Sequence, residues 1–266
     1  MELKKILLEK NDGIAFVTFN EPQLHNAVSA EAAIELEWCL DNCGDDHKIR
    51  VIVLRGAGEF FSAGGNINTM KERVDCATDE AYEAYGNSIR KLGKVVMRIR
   101  NIRKPVIASM HGAAAGGGLN LALACDLKIA AENTKFIVPF VNIGLIPDVG
   151  GPLPLIRAIG VPRATELMMT GRVFSAREAY DWGLINQAVP VEQLEMLTLK
   201  MANQLANGPT KAYGFIKAMI NRVAYEGLEL EVDSEAEYQV LCAKTEDHKE
   251  GVYAFLDKRK PKFNGR

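Results

Sequence analysis

Between Val106 and Asp126 the chain passes from a short apolar run, Val106 to Met110, to a Leu- and Ala-rich segment beginning at Leu119, and the link between them contains Gly116-Gly117-Gly118. The run has the length of a buried strand and the later segment the composition of a buried helix. Three successive glycines strip every Cβ from the bend, so a ligand can approach its N–H groups closely. The helix behind it adds unpaired amides and the positive end of its dipole. This combination suits an oxygen that carries, or acquires, negative charge. No Gly-Lys-Ser/Thr closes the glycine run and no Gly-x-Gly-x-x-Gly spacing fits it, so a phosphate loop gains no support.

A second bend of the same kind lies upstream. Glu59-Phe-Phe-Ser-Ala63-Gly64-Gly65-Asn66-Ile67 follows the buried strand Val51–Leu54, and it is expected to lead from a strand through glycines into a helix. Two such bends can each offer one N–H to a shared oxygen, which is the requirement for an oxyanion hole. Repeated strand-helix architecture alone would also produce the pair.

The rest of the chain supports an α/β class. Asn11-Asp12-Gly13 between two apolar runs predicts an opening β-hairpin. Ser29 predicts the start of a helix that Gly44 ends, and Asp79 to Arg100 reads as a long helix. Strands are expected at 127–131 and 135–138. Helices follow through Ile159, from Val161, and from the capping box Ser175-x-x-Glu178. Beyond Pro190 strand patterns cease, and Val191 to Arg222 and Leu228 to Leu256 read as helices. A helical end of this sort often packs on a neighbouring subunit, so a homo-oligomer is expected. A net charge of -2 argues against nucleic acid as the main partner. No apolar run reaches bilayer-spanning length, and Met1-Glu-Leu-Lys-Lys opens no signal-peptide core, so no membrane association and a cytoplasmic location are expected. The five cysteines form no metal-ligand set with histidines and read as reduced structural thiols.

His25-Asn-Ala-Val, Phe61-Ser-Ala-Gly-Gly-Asn-Ile67, the Lys104–Asp126 stretch, Ile143-Gly-Leu-Ile-Pro-Asp-Val-Gly-Gly151, Leu167-Met-Met-Thr-Gly171 and Ala179-Tyr-Asp-Trp-Gly-Leu-Ile185 stand in an order that resembles the crotonase superfamily of enoyl-CoA hydratases and isomerases. The likeness extends to Glu250–Pro261. It implies an α/β spiral of ββα units with a C-terminal helical trimerisation region, divided as a core over 1–190 with the acyl-CoA site and a region over 191–266 for oligomerisation and closure of that site. It implies an acyl-CoA thioester substrate, with coenzyme A part of that substrate and no separate cofactor or metal, and a homotrimer or a dimer of trimers. It places the thioester oxygen between the N–H groups of Gly65 and Gly117. It puts Asn26, Ala27 and the stretch Ala63, Gly64, Asn66, Ile67 along the CoA pocket, and Lys258 near the nucleotide end.

Hydratases of this family split water with two glutamates, whose positions here carry Asn120 and Phe140. An amide positions water without exchanging a proton near neutral pH, and phenylalanine does neither. A third family position, where isomerases commonly carry an acid, is Asp148. The resemblance therefore implies an enoyl-CoA isomerase: Asp148 takes a proton from C2 of a 3-enoyl thioester, a dienolate forms, and the same carboxyl returns the proton to C4. Two alternatives stand beside it, a hydratase or dienoyl-CoA hydratase with Asp148 as sole acid/base, and an inert acyl-CoA-binding scaffold. His111 is expected to have a structural task, while Asn66, Asn120 and Asn142 are candidates for orienting substrate or water.

Overall fold

A computed structural model describes all residues, 1–266. Its main sheet begins with the hairpin β1 (Ile6–Asn11) and β2 (Ile14–Phe19), turning at Asp12-Gly13, with Gly13 at φ +80° as the Asp-Gly signal requires. β3 (Val51–Gly56), β4 (Val106–Met110), β6 (Leu127–Ala131) and β9 (Gln187–Val189) join β2 in parallel, giving the order β1-β2-β3-β4-β6-β9. A smaller sheet holds β5 (Ala113–Ala115), β7 (Lys135–Ile137) and β8 (Val173–Ser175) in the order β5-β7-β8. Helices cover both faces of the main sheet, and β4 is buried along its whole length, as a parallel strand between two layers should be.

One face packs in a core of 47 buried residues that includes Leu36 and Leu40 of α1 (Ala30–Asp45) and Leu92, Val95 and Ile99 of α3 (Asp79–Asn101). The other face packs on α7 (Leu194–Ala206), whose Leu194, Ala202 and Ala206 meet Ile14, Val51, Val53 and Ile129. The helices α8 (Thr210–Ala224), α9 (Leu228–Ala243) and α10 (Glu246–Leu256) complete the chain, and α9 lies along α3.

Three expectations are corrected. α1 runs through Gly44 to Asp45, with Gly44 packed against Ile102 and the Arg98 guanidinium, whose nearest atoms are 3.5 Å from where a Cβ would stand. The stretch before the second glycine bend forms no strand; only Ser62 makes a single bridge, to Ala114. The Gly116–Gly118 link is not a loop ahead of a helix at Leu119, since those glycines are the first turn of α4 (Gly116–Ala124). Where two helices are expected on either side of Gly160, α5 (Pro152–Thr170) is broken by that residue at φ +77°, ψ +161°. The capping box of α6 (Ala176–Asp181) forms as its spacing predicts. No helix is long and apolar enough to cross a membrane, and no group of three His, Cys, Asp or Glu side chains could hold a metal ion.

Candidate active site

The two glycine bends meet. Ser62 N donates to Ala113 O at 3.1 Å, and Ala115 N donates to Ser62 O at 2.9 Å, so the upstream bend runs beside β5 up to the first turn of α4. Side chains would hold them apart: a Cβ on Gly64, itself at φ +84°, would stand 2.8 Å from Ala115 O, and one on Gly118 would stand 2.5 Å from Ser62 Cβ. Gly65 N has no acceptor within the chain. Gly117 lies in the first turn of α4, where N–H groups have no intrahelical acceptor.

Asn26 and Ala27 are not part of the pocket wall. Asn26 is buried, with Nδ2 donating to Ala57 O at 2.8 Å and Phe60 O at 2.7 Å, while its Oδ1 accepts from Glu21 N at 3.0 Å. It braces the loop ahead of the upstream bend, and Ser62 Oγ donates to its carbonyl at 2.7 Å. His111 Nε2 meets Gly58 O at 2.9 Å, a structural bond on the same loop.

Gly65 and Gly117 line one cavity of about 370 Å³ together with Asp148, Asn66 and Phe140. Eleven of its twenty lining residues are hydrophobic, which suits an acyl chain. The wall comes from Val28 to Glu31 at the start of α1, from α2 (Ile67–Cys76) through Thr69, Met70 and Arg73, from α3 through Ala81, Tyr85 and Ile89, and from Leu145 and Val149. Its two carboxyls are Asp148, buried, and Glu31, exposed.

Asp148 is held by the backbone on both sides. Asn120 Nδ2 donates to its carbonyl at 2.7 Å, and a Cβ on Gly151 would overlap the Asn120 amide, so the loop lies flat on that side chain. The next residue, Val149, has φ +56°, a left-handed conformation that a β-branched residue adopts only under strain of roughly 1–2 kcal/mol. Gly150 follows at φ +60°, and its N–H donates to Glu235 Oε2 at 2.9 Å. At the side chain, Gln239 Nε2 donates to Asp148 Oδ2 at 2.7 Å and to Ile146 O at 2.9 Å.

Burial pushes the Asp148 carboxyl up to about 7, with the Gln239 bond acting in the opposite sense. Glu235, also buried, is pushed up to about 8 by desolvation and then by the Asp148 charge, so near neutrality it is mostly uncharged. The cavity thus holds one buried carboxyl that titrates near neutrality, as a proton carrier requires.

The structure places several expected substrate contacts elsewhere. Asn120 supports the Asp148 backbone beneath the cavity. Asn142 Nδ2 donates to Gly171 O at 3.2 Å, and Asn66 Oδ1 caps α2 by accepting from Asn68 N at 2.9 Å, although Asn66 still reaches the cavity rim. Ala63, Gly64 and Ile67 are outside the lining, and Lys258 stands exposed just past α10. Sequence reasoning missed Arg73, Tyr85, Glu235 and Gln239. A signal existed for the last two: the buried stripe of α9 runs Leu228, Val232, Glu235, Ala236, Gln239, Ala243, placing a carboxyl and an amide where an amphipathic helix carries apolar residues.

Known proteins similar to this chain share its family and fold. Residues 9–266 match the family model described as enoyl-CoA hydratase/isomerase. Similar proteins include the 1,2-epoxyphenylacetyl-CoA isomerase of Escherichia coli, 38% identical with 98% of each chain covered, and the trans-2-decenoyl-[acyl-carrier-protein] isomerase of Streptococcus mutans, 35% identical with 100% of each covered. The short-chain-enoyl-CoA hydratase of Clostridium acetobutylicum is 34% identical, with 98% of this chain and 97% of that one covered. The crystal structure of an enoyl-CoA hydratase from Mycobacterium avium subsp. paratuberculosis superposes with a TM-score of 0.89 at 28% identity, covering 99% of this chain and 100% of that one. The chain belongs to the enoyl-CoA hydratase/isomerase family and has its α/β crotonase-type fold.

Proposed function

We propose that, within this family, the protein is an enoyl thioester isomerase that moves a double bond by a 1,3-proton transfer, with Asp148 as the only proton carrier. The observation that carries the reading is the solitary buried carboxyl in the cavity. The other two positions at which a hydratase of this family holds acids are Asn120, whose amide is committed to the Asp148 backbone, and Phe140, which contributes only an apolar wall.

In this reading the acyl chain lies in the cavity with its thioester oxygen at the amides of Gly65 and Gly117. Asp148, as carboxylate, takes a proton from C2 of a 3-enoyl thioester. The C–H electron pair moves into the C1–C2 bond and charge collects on the thioester oxygen, where each amide contributes on the order of 3 kcal/mol of stabilisation. The protonated carboxyl then delivers the proton to C4 and the C2–C3 double bond forms. Gln239 fixes the orientation of the acid through Oδ2. The apolar wall excludes the water that would otherwise quench the dienolate. One relative, named as an isomerase of a trans-2-decenoyl thioester on acyl carrier protein, supports this chemistry.

We also assign the outer face of α8 to subunit contact, as a trimer or a dimer of trimers. Phe215, Met219 and Val223 are 66%, 69% and 78% exposed, an apolar stripe at helical spacing that a lone chain would leave wet. Light scattering of the purified protein reads the subunit number.

Incubating the protein with 3-enoyl-CoA and 2-enoyl-CoA in deuterated water tests the reaction. Absorbance and mass should show interconversion of the two thioesters without a gain of water. A 3-hydroxyacyl product would select a hydratase, and no turnover with retained thioester affinity would select a binding protein.

A further inference from the structure

Arg73 is a buried cation in this cavity that the chain does not neutralise. It is 9% exposed, lines the cavity from α2, and lies with Cζ 3.6 Å from the centre of the Tyr85 ring. The one hydrogen bond of its guanidinium within the chain joins Nη2 to His248 Nε2 at 3.3 Å. His248 Nδ1 meets Ile143 O at 2.7 Å, so that nitrogen carries the hydrogen and Nε2 is the acceptor for Arg73. Burial pushes the imidazole down to about 4, and a neutral ring offers the guanidinium no countercharge.

No carboxylate compensates the charge. Asp75, two residues on, is committed to Lys71 and Tyr253. The ionisable groups acting on Arg73 are the phenols of Tyr82 and Tyr85. Nε is sealed from solvent without an acceptor. Nη1 also makes no bond within the chain but is not sealed, so it is the part of the fork open to an incoming group. An unpaired buried charge costs several kcal/mol, whereas a carboxylate can accept two parallel N–H bonds from a guanidinium. The stacking on Tyr85 holds the fork in one plane, which favours such planar recognition over contact with a diffuse charge.

We infer that the acyl group received by this cavity carries a carboxylate at its far end, bound by the free N–H groups of Arg73. This rests on the reading of the cavity as an acyl thioester site and narrows the substrate class to monothioesters of dicarboxylic acids.

The test is calorimetric binding by the full-length protein, using saturated acyl-CoA thioesters from butyryl to octanoyl length, each paired with the counterpart that ends in carboxylate. At the best-fitting length the carboxylate-ended thioester should bind about tenfold or more tightly. Arg73→Met should abolish that preference while leaving the methyl-ended Kd nearly unchanged, and Arg73→Lys should keep only part of it, having charge without the fork. Tighter binding of the methyl-ended member at every length overturns the inference even if Arg73→Met does not fold. Equal weakening of both members by Arg73→Met, or of free coenzyme A, also overturns it, marking a structural residue or a contact to the nucleotide phosphates. Failure of every thioester to bind overturns the acyl-CoA reading as well, whereas absence of the preference in the unsubstituted protein, with thioesters still bound, overturns only this inference.

Discussion

Replacing Gln239 by leucine removes the single side-chain donor to the Asp148 carboxyl and should move the enzyme's pH profile in a determined direction. Gln239 is fully buried, and its Nε2 lies 2.7 Å from Asp148 Oδ2. A hydrogen bond to a charged group in such a site contributes roughly 1.5–3 kcal/mol to the charged form, and one pH unit corresponds to about 1.4 kcal/mol. The carboxyl stands at about 7 with this bond in place. Without it, desolvation is opposed only by a backbone hydrogen bond at Asp148, and the midpoint should rise by about one to two pH units. Because the base must be ionised to remove the C2 proton, kcat/KM at pH 7 should fall between about fivefold and fiftyfold, and much of it should return by about pH 9. The assay is kcat/KM for a 3-enoyl-CoA across pH 5 to 10, followed by the absorbance of the conjugated product. Ile146 O loses the same donor, so a stability loss of about 1–3 kcal/mol is expected and should be read separately by thermal denaturation. A midpoint that stays in place or moves down would refute the assignment of Asp148 as the titrating base.

The buried acid also makes a prediction about stability. The carboxyl rises from 3.8 to about 7 on folding, so the folded state holds its proton more tightly and loses stability relative to the unfolded state as pH rises through that window. Asp148→Asn should therefore be more stable than the parent at pH 8, by on the order of a few kcal/mol in unfolding free energy, with the gap closing towards pH 4; a pH-independent gap would contradict the burial argument. A third prediction contrasts two glycines. Gly118→Ala drives a Cβ into Ser62 and should cost about 1–3 kcal/mol while parting the two bends and lowering kcat/KM, whereas in Gly65→Ala the Cβ meets only the flexible end of Met70 and the melting temperature should hardly move. Thermal melts and initial rates of the two variants check both halves.

Much of this arrangement is legible in the sequence because it depends on local chemistry. Asp12-Gly13 sets the hairpin, Ser29 and Ser175 cap their helices, and the two glycine bends are visible as runs without side chains. What misleads is that glycine has two uses. Gly44 reads as a helix stop and Gly116 to Gly118 as a loop, yet both lie within helices, and at Gly118 Ser62 occupies the space a Cβ would need. Tertiary packing there outweighs a helix penalty of about 1 kcal/mol per glycine. Asn26 and Asn120 stand beside the site in sequence, but their amides are taken by backbone partners that only the folded chain brings near. Gln239 and Glu235 lie some ninety residues from the acid they serve, and α9 is delivered to it by packing along α3.

The account depends most on Asp148 being the group that moves the proton while the glycine amides hold the thioester. Asp148→Asn keeps the shape of the side chain and removes its basicity. Measured together, turnover of a 3-enoyl-CoA and affinity for a saturated acyl-CoA of the same length should separate: kcat should drop about a thousandfold or more while Kd stays within about threefold. Retention of isomerase activity by Asp148→Asn, with thioester binding intact, would contradict the account.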